Sequence, residues 1–202
     1  MMVIEKSSNQ ELLLNEKCII VITGIMASGK STVAQLLAER FKKCVHVHGD
    51  IYRKMIVAGR EEMKPNASDE AIKQLQLRYQ LASATADAYF EAGFNVVIQD
   101  NYIGKMLQDF VDMIHSRPVF LVALCPRPEI VAEREAKRLK KGYGNWGVAE
   151  FNNLFQHETP KMGLWLDSSE QTPEETVFQI LQQFQKRMGI TSCNKPTTNV
   201  IR

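Results

Sequence analysis

One run of eight residues constrains this chain more than any other feature, because it fixes both a backbone shape and the setting in which that shape occurs. Residues 24–31 read GIMASGKS and match G-x-x-x-x-G-K-[ST] without a gap. The run follows CIIVIT at 18–23, a short β-branched stretch typical of a buried parallel strand. It precedes residues 31–42, whose apolar side chains recur at helical spacing. The sequence therefore predicts a strand, a glycine-rich loop and a helix in that order.

A loop of this kind, a Walker A or P-loop pattern, is suited to hold a nucleotide triphosphate. Its glycines let the backbone curl so that N–H groups point at phosphate oxygens, and the following helix adds its positive end. We expect Lys30 to reach the β- and γ-phosphates and the Ser31 hydroxyl to be a magnesium ligand. The predicted cofactors are ATP and Mg²⁺, and the sequence does not decide whether GTP can replace ATP. The alternative is a glycine turn that binds no ligand. The nucleotide-binding positions are Gly24, Ala27, Ser28, Gly29, Lys30, Ser31 and Thr32.

Strand-like and helix-like segments alternate along the rest of the chain. The strand-like runs are residues 18–23, 45–48, 94–98, 119–124 and 162–166. The helix-like runs are residues 31–42, 69–92, 129–141 and 172–188. This alternation predicts an α/β fold with a parallel sheet and helices on both of its faces. The 202 residues fit a single domain over 1–202, in which 1–16 are a weak helix or loose arm and 190–202 a tail.

Charge and cysteine content exclude several classes of protein. The formal net charge of +2 is too small to indicate a nucleic-acid-binding surface. The four cysteines form no C-x-x-C pair, which argues against a zinc or redox motif and fits a reducing compartment. The longest apolar run, residues 119–125, is too short to span a bilayer, and the N-terminus lacks a secretory pattern. We expect a cytoplasmic protein with no membrane or nucleic-acid partner. The sequence does not decide whether the protein forms a homodimer.

Two carboxylates follow strand-like runs, where ligands of an open parallel sheet gather. Asp50 comes after the second strand and Asp100 after the third. One can accept the proton of an attacking hydroxyl and the other can hold magnesium, or each merely caps the next helix. Arg53 lies on the same face one helical turn after Asp50, as an acceptor clamp or a solvated charge. His46 and His48 share a strand face, a pattern more often structural than metal-binding.

A basic segment and a glycine-rich segment follow the fourth strand. Arg134 and Arg138 are four residues apart, which predicts that they share one helix face. Such a pair can place one guanidinium on adenine and another on the transferring phosphate, or it can be a solvated surface. Residues 142–147, GYGNWG, predict either a mobile flap that excludes water or a plain loop after the helix.

With these pieces placed, the chain resembles the small P-loop phosphotransferases, and within them the chloramphenicol phosphotransferase-like and zeta-toxin-like ATP-binding proteins. The resemblance covers residues 18–188 and rests on ITGIMASGKST, HGDIYRKMI and CPRPEIVAEREAKR. It implies a kinase-like three-layer sandwich whose five-stranded parallel sheet has the order 2-3-1-4-5. It also implies a small lid at 134–150 and an acceptor-binding region at 51–80.

The resemblance further implies roles for individual residues. Asp50 would be the general base for the acceptor hydroxyl, and Lys30 and Arg138 would contact the transferred phosphate. Arg134 would stack on adenine, with residues 168–173 forming the other side of the slot. From their positions alone, and not from the resemblance, Arg53 and Asp100 are also expected to face the acceptor.

Three functions are compatible with these features. The first is an ATP-dependent kinase for a hydroxyl of a small molecule such as an antibiotic, a sugar or a nucleotide-sugar. The second is a nucleotide or polynucleotide kinase, which would need a phosphate clamp near Arg53, Arg60 and Arg78. The third is a non-catalytic ATP-dependent switch protein. The absence of an apolar run ending in paired Asp-Glu argues against the switch, and the lid-like arginines favour phosphate transfer.

Overall fold

The central strand of the sheet is the one that leads into the glycine-rich loop. In the computed structural model, β1 (Ile19–Thr23) is buried along its whole length. It pairs in parallel with β3 (Asn95–Gln99) on one side and with β4 (Val119–Leu124) on the other. The outer strands are β2 (Cys44–His48), next to β3, and β5 (Leu164–Leu166), next to β4. The order β2-β3-β1-β4-β5 confirms the predicted five-stranded parallel sheet.

The structure describes residues 17–64, 66–139, 142–143 and 147–187. The predicted arm at 1–16, the predicted tail at 190–202 and the flap residue Trp146 lie outside these ranges. The helices among the described residues are α1 (Lys30–Ala38), α2 (Asp50–Lys54), α3 (Asp69–Glu91), α4 (Lys105–Met113), α5 (Pro128–Lys137), α6 (Val148–Glu158) and α7 (Pro173–Arg187). None of them is long and apolar enough to cross a membrane.

Helices cover both faces of the sheet, which gives three layers. On one face, α1 and α7 pack Leu37 and Ile180 against Ile20 of the central strand. On the other face, α3 and α4 pack Ala82 and Phe110 against strand residues. Because side chains alternate along a strand, neighbouring residues of β1 fill the two cores in turn.

Local signals explain where the long helices begin. The Ser68 hydroxyl accepts a hydrogen bond of 3.0 Å from the N–H of Ala71 and so caps α3. At α7 the side chains of Thr172 and Glu175 each accept a hydrogen bond from the other residue's N–H, at 3.2 and 2.8 Å. This reciprocal pair is a capping box and fixes the start of α7.

The structure departs from the sequence prediction at two helix ends. The first helix ends at Ala38 rather than at residue 42, since the N–H of Phe41 bonds to the carbonyl three residues earlier and tightens the turn. The basic helix ends at Lys137 rather than at residue 141, and Arg138 has an extended backbone. The prediction that Arg134 and Arg138 share one helix face is therefore wrong. Two short helices, α4 and α6, were not predicted.

Register places the functional loops at one edge of the sheet. His48 of β2 and Ile22 of β1 both lie opposite Gln99 of β3, and Thr23 lies opposite Ala123 of β4. The strands run parallel, so their carboxyl ends meet at this edge. The glycine-rich loop, Asp50 and Asp100 all follow these ends directly.

Candidate active site

The glycine-rich loop has the backbone shape that a phosphate cradle requires. Gly24 has a φ of 147°, and a Cβ there would lie 2.5 Å from the Leu124 carbonyl oxygen. Ala27 and Gly29 also have positive φ, of 60° and 98°. No side chain among the described residues caps α1, and the buried Ser28 hydroxyl has no hydrogen-bond partner among them. Uncapped N–H groups beside an unpaired buried hydroxyl are suited to an anionic ligand.

Lys30 lies folded back into this loop. Its side chain is buried, and its Nζ donates a hydrogen bond of 2.7 Å to the Ile25 carbonyl oxygen. Burial lowers the pKa of Lys30 to about 7, with Asp100 opposing the change and the cations Arg138 and Arg78 adding to it. A phosphate chain bound in the loop would supply the negative counter-charge that stabilises the charged form of Lys30.

Arg134 connects the phosphate loop to the segment that follows β5. One guanidinium nitrogen lies 3.4 Å from the Ser28 carbonyl oxygen and another 3.1 Å from that of Ser168. Arg134 thus contacts both the phosphate loop and the segment 168–173, which the resemblance implies as the other side of the adenine slot. Its stacking on adenine stays a prediction.

Arg138 is held by its own neighbours rather than by a continuing helix. Its Nη1 donates a hydrogen bond of 3.0 Å to the buried carboxylate of Glu135. The same carboxylate accepts the N–H of Gly142. The buried hydroxyl of Tyr143 then donates a hydrogen bond of 2.7 Å to the Met26 carbonyl oxygen. Tyr143 therefore fastens the start of the glycine-rich segment to the phosphate loop.

Asp50 lies at the start of α2 with cations around it. Its two carboxylate oxygens contact the Arg53 Nε at 2.9 Å and the Lys54 Nζ at 2.8 Å, and an Nη of Arg78 is 3.8 Å away. Partial burial raises the pKa of Asp50, but the hydrogen bonds from Arg53 and Lys54 outweigh it and lower the pKa to about 2. Arg53 also pairs with Glu62 at 2.5 Å. Asp50 is thus ionised at every physiological pH.

Asp100 is buried, and its carboxylate is hydrogen-bonded to Arg78, a partner that the sequence analysis did not predict. The Arg78 Nε donates a hydrogen bond of 2.6 Å to one carboxylate oxygen, and a second Arg78 nitrogen donates to the other. The Asn101 N–H contributes another bond of 2.7 Å. A Cβ at Gly49 would lie 2.1 Å from the Asp100 carboxylate, so the residue before Asp50 has to be glycine for this packing.

One cleft of about 1470 Å³ is lined by the charged side chains of these groups, namely Lys30, Asp50, Arg53, Arg78, Asp100, Arg134 and Arg138. Ser31 and Thr32 lie at its surface next to Lys30. The cleft continues past Asp50 and Asp100 into the predicted acceptor region. Apolar side chains from the loop after α2 and from α3, α4 and α6 line that end, namely Ile56, Met63, Ile72, Leu75, Met106, Phe151 and Leu154.

His46 and His48 have structural partners. Their rings lie 3.9 Å apart, and each contacts a glutamine, Gln35 for His46 and Gln99 for His48. Burial, with a smaller effect of His48, lowers the pKa of His46 to about 4. In the described part of the chain, no three His, Cys, Asp or Glu residues are grouped so as to hold a metal.

Magnesium would be held here by few protein groups. The Ser31 hydroxyl at the start of α1 is a suitable oxygen ligand, whereas the carboxylates of Asp50 and Asp100 are paired with arginine and lysine side chains. Magnesium usually keeps several waters and is bound through one or two oxygen groups together with substrate phosphates. The residues present fit such a site.

The sequence identified the phosphate loop, both aspartates and both arginines, and the structure brings them to one cleft. It missed three contacts that complete the site, because each joins residues that are distant in the chain or lie beyond a helix end. They are Arg78 with Asp100, Gly49 with Asp100, and Glu135 with Gly142. The signal for Gly49 was its position directly after a strand and before Asp50.

Comparison with known proteins supports this architecture. The family described as chloramphenicol phosphotransferase-like protein matches residues 17–185. Among curated proteins, none matches the sequence significantly.

Solved structures with the same fold include several kinases. A sugar kinase from Janibacter sp. HTCC2649 is 15% identical with a TM-score of 0.60, covering 88% of this chain and 99% of that one. The tunicamycin resistance protein of Deinococcus radiodurans is 17% identical with a TM-score of 0.57, covering 87% and 98%. A gluconokinase from Sinorhizobium meliloti is 16% identical with a TM-score of 0.56, covering 86% and 96%. At such identities the likeness shows a shared kinase-like fold.

Proposed function

This chain belongs to the chloramphenicol phosphotransferase-like family, and from that premise we propose that it transfers the terminal phosphate of ATP to a hydroxyl group of a small molecule. The observation that carries the proposal is the continuity of the cleft. Lys30, Arg134 and Arg138 line the same space as Asp50 and the apolar acceptor end. A nucleotide bound at the loop would therefore point its phosphates toward an acceptor beside Asp50.

The residues on the nucleotide side bind and neutralise phosphate. The loop N–H groups and Lys30 hold the phosphate chain, and Arg134 orients the base between the loop and Ser168. Arg138 stabilises the charge that spreads over the oxygens of the transferring group. When bound at Ser31, magnesium supplies charge neutralisation of the phosphates.

Asp50 acts on the acceptor side. A carboxylate with a pKa of about 2 is a weak base, so it does not remove the hydroxyl proton ahead of transfer. In a loose transition state the attacking oxygen needs little activation, and its proton leaves late. Asp50 then orients the hydroxyl by accepting its hydrogen bond and takes the proton as the new ester bond forms.

The acceptor end of the cleft supports a hydroxylated molecule with an apolar part. Its walls carry isoleucine, leucine, methionine and phenylalanine side chains from four segments. A sugar, an antibiotic and a nucleotide-sugar are all of suitable size for a cleft of this volume. Because the proposed reaction consumes ATP, a cytoplasmic location would give the protein access to this substrate.

The alternative of a nucleotide or polynucleotide kinase needs cations free to hold an acceptor phosphate. The three arginines expected for that clamp all have carboxylate partners: Arg53 with Asp50 and Glu62, Arg60 with Glu62, and Arg78 with Asp100. Paired charges of this kind argue against a phosphate clamp made by these three arginines. A non-catalytic switch would leave the apolar acceptor end without a role.

Release of ADP across a panel of hydroxylated acceptors tests the proposal. The panel contains antibiotics, sugars, nucleosides, nucleotides and nucleotide-sugars, each with ATP and magnesium. We expect one class to stimulate release and to gain the mass of a phosphoryl group. Lys30→Ala should abolish that stimulation, whereas Lys42→Ala, at an exposed lysine after α1, should keep it. Slow release that no acceptor changes would contradict transfer and favour the switch.

A further inference from the structure

The two aspartates at the ends of neighbouring strands are chemically alike but differ in access. The Asp50 side chain is 37% exposed, and the Asp100 side chain is 4% exposed. Both lie within ion-pair distance of one guanidinium, that of Arg78. Asp50 already contacts Arg53 and Lys54, and the position of Arg78 therefore determines whether a third cation covers this more exposed carboxylate.

Arg78 is committed to Asp100. It makes two hydrogen bonds to that carboxylate, in the side-by-side geometry that an arginine fork favours. Its contact to Asp50 is only a 3.8 Å approach of Nη1 to Oδ1, beyond hydrogen-bond distance. Asp100 is in turn fixed by the Asn101 N–H and by close packing against Gly49.

Arg78 also belongs to the wall that an acceptor would touch. It lies on α3, whose residues Ile72 and Leu75 line the same cleft. The side chain is 12% exposed, so it is mostly buried between that wall and the strand ends. Asp50 Oδ1 already accepts a hydrogen bond from Arg53, and a small movement of the Arg78 guanidinium would take up the remaining acceptor position of this oxygen.

We propose that Asp100 and Arg78 are positioning residues, in which Asp100 binds Arg78 and keeps its guanidinium off Asp50, so that Asp50 is the carboxylate that meets the acceptor hydroxyl. The role in catalysis rests on the proposed function; the arrangement of the three side chains does not. Asp100 is then neither the base nor a free ligand for the acceptor. Its work is to hold an arginine that would otherwise pair with Asp50.

Removal of the negative charge on Asp100 should let Arg78 move. In Asp100→Asn the remaining carboxylate near Arg78 is Asp50, so we expect a direct Arg78–Asp50 hydrogen bond of about 3 Å. A crystal structure of this variant decides the point without any acceptor. A guanidinium that stays at its present distance from Asp50 would overturn the proposal.

Turnover provides a second test that a purely structural role would not pass. Asp100→Asn should lower kcat by roughly tenfold at saturating ATP, because Arg78 then occupies Asp50. Saturating ATP is needed because Asp100 also raises the pKa of Lys30, so its loss should weaken ATP binding as well. Adding Arg78→Met should restore most of the lost kcat, since the competing guanidinium is gone. A double variant that is as slow as Asp100→Asn or slower would refute the competition.

Folding has to be checked in each variant. Arg78→Met alone leaves a buried carboxylate without its cation and is expected to be destabilised, whereas the double variant removes both charges. Arg117→Met, at the opposite edge of the sheet, serves as the matched control for loss of an arginine. If no acceptor stimulates the wild-type protein, the proposed function fails, and the crystal structure of Asp100→Asn still decides the arrangement.

Discussion

The ammonium group of Lys30 donates its hydrogen bond to the carbonyl oxygen of Ile25, five residues earlier in the same loop. In the ligand-free protein, the Lys30 ammonium group therefore has a hydrogen-bond acceptor within its own loop. A bound phosphate would compete with this carbonyl oxygen for the ammonium group. Its low exposure and the nearby arginines make its charge unfavourable in the ligand-free state. Nucleotide binding should consequently change the protonation of Lys30.

We predict that ATP binding takes up a proton above pH 7. The pKa of Lys30 is lowered to about 7 in the free protein, so at pH 8 the free side chain is mostly neutral. The bound phosphates favour the charged form and raise this pKa, so binding adds up to about one proton, and affinity falls as the pH rises further. Calorimetry at pH 8 in buffers of different ionisation enthalpy measures the uptake. Wild-type binding without uptake, or the same uptake in Lys30→Met, would contradict it.

Arg134 and Arg138 should fail in different ways when truncated. Arg134 bridges the phosphate loop and Ser168, so Arg134→Ala should mainly weaken ATP binding. Arg138 is held by Glu135 near the loop, so Arg138→Ala should lower kcat by about ten- to a thousandfold with a smaller effect on binding. Titration calorimetry and steady-state kinetics separate the two effects.

Arg187→Ala is the matched control for this pair, because Arg187 is exposed at the end of α7 and does not line the cleft. It should leave both quantities unchanged. The reverse pattern, with binding lost in Arg138→Ala and only turnover lost in Arg134→Ala, would exchange the two assigned roles.

The fold could be predicted because its signals are local. Runs of β-branched residues such as 18–23 define buried strands, and the Thr172–Glu175 capping box defines the start of α7. The phosphate loop was found for the same reason, since its residues are consecutive. The end of α5 could not be predicted, because it depends on the Glu135 carboxylate, which accepts hydrogen bonds from both the Arg138 side chain and the Gly142 N–H.

The site could be predicted only where its residues directly follow predicted strands in the sequence. Asp50 and Asp100 each follow a strand, so their meeting at one edge follows from parallel pairing. Which of them is open to an acceptor depends on Arg78, twenty-two residues before Asp100 on a different element. Nothing in the helical pattern of α3 marks one of its charged residues as facing the sheet edge.

Asp50→Asn should lower turnover by about two to four orders of magnitude with little change in ATP affinity. The hydrogen bonds from Arg53 and Lys54 lower the pKa of Asp50 to about 2 against the effect of burial, so the carboxylate is fully ionised above about pH 4. In the wild-type protein, kcat/KM should then show no acid limb from this group between about pH 4 and pH 7. A limb with an apparent pKa in that interval, lost in Asp50→Asn, would contradict this prediction, because kcat/KM reports the free enzyme and would place the pKa of Asp50 well above 2.

Gly49→Ala isolates the contact between the two strand ends. The φ of Gly49 is −58°, which any residue can adopt, so alanine brings no backbone strain. Its methyl group would instead lie 2.1 Å from the Asp100 carboxylate and would displace it from Arg78. We expect a loss of about 1–3 kcal/mol in the free energy of unfolding, together with reduced turnover.

Gly93→Ala is the control for this substitution, because Gly93 follows α3 at the other end of the sheet. Its φ is 85°, and an added Cβ would meet only the Lys43 ammonium at 3.7 Å, an ordinary contact. Alanine there costs roughly 1 kcal/mol through the backbone alone and should leave turnover unchanged. Denaturant unfolding and kinetics on both variants make the comparison. If Gly49→Ala resembles Gly93→Ala in losing stability but not turnover, the position of Asp100 does not matter for catalysis, and Asp50 is oriented without it.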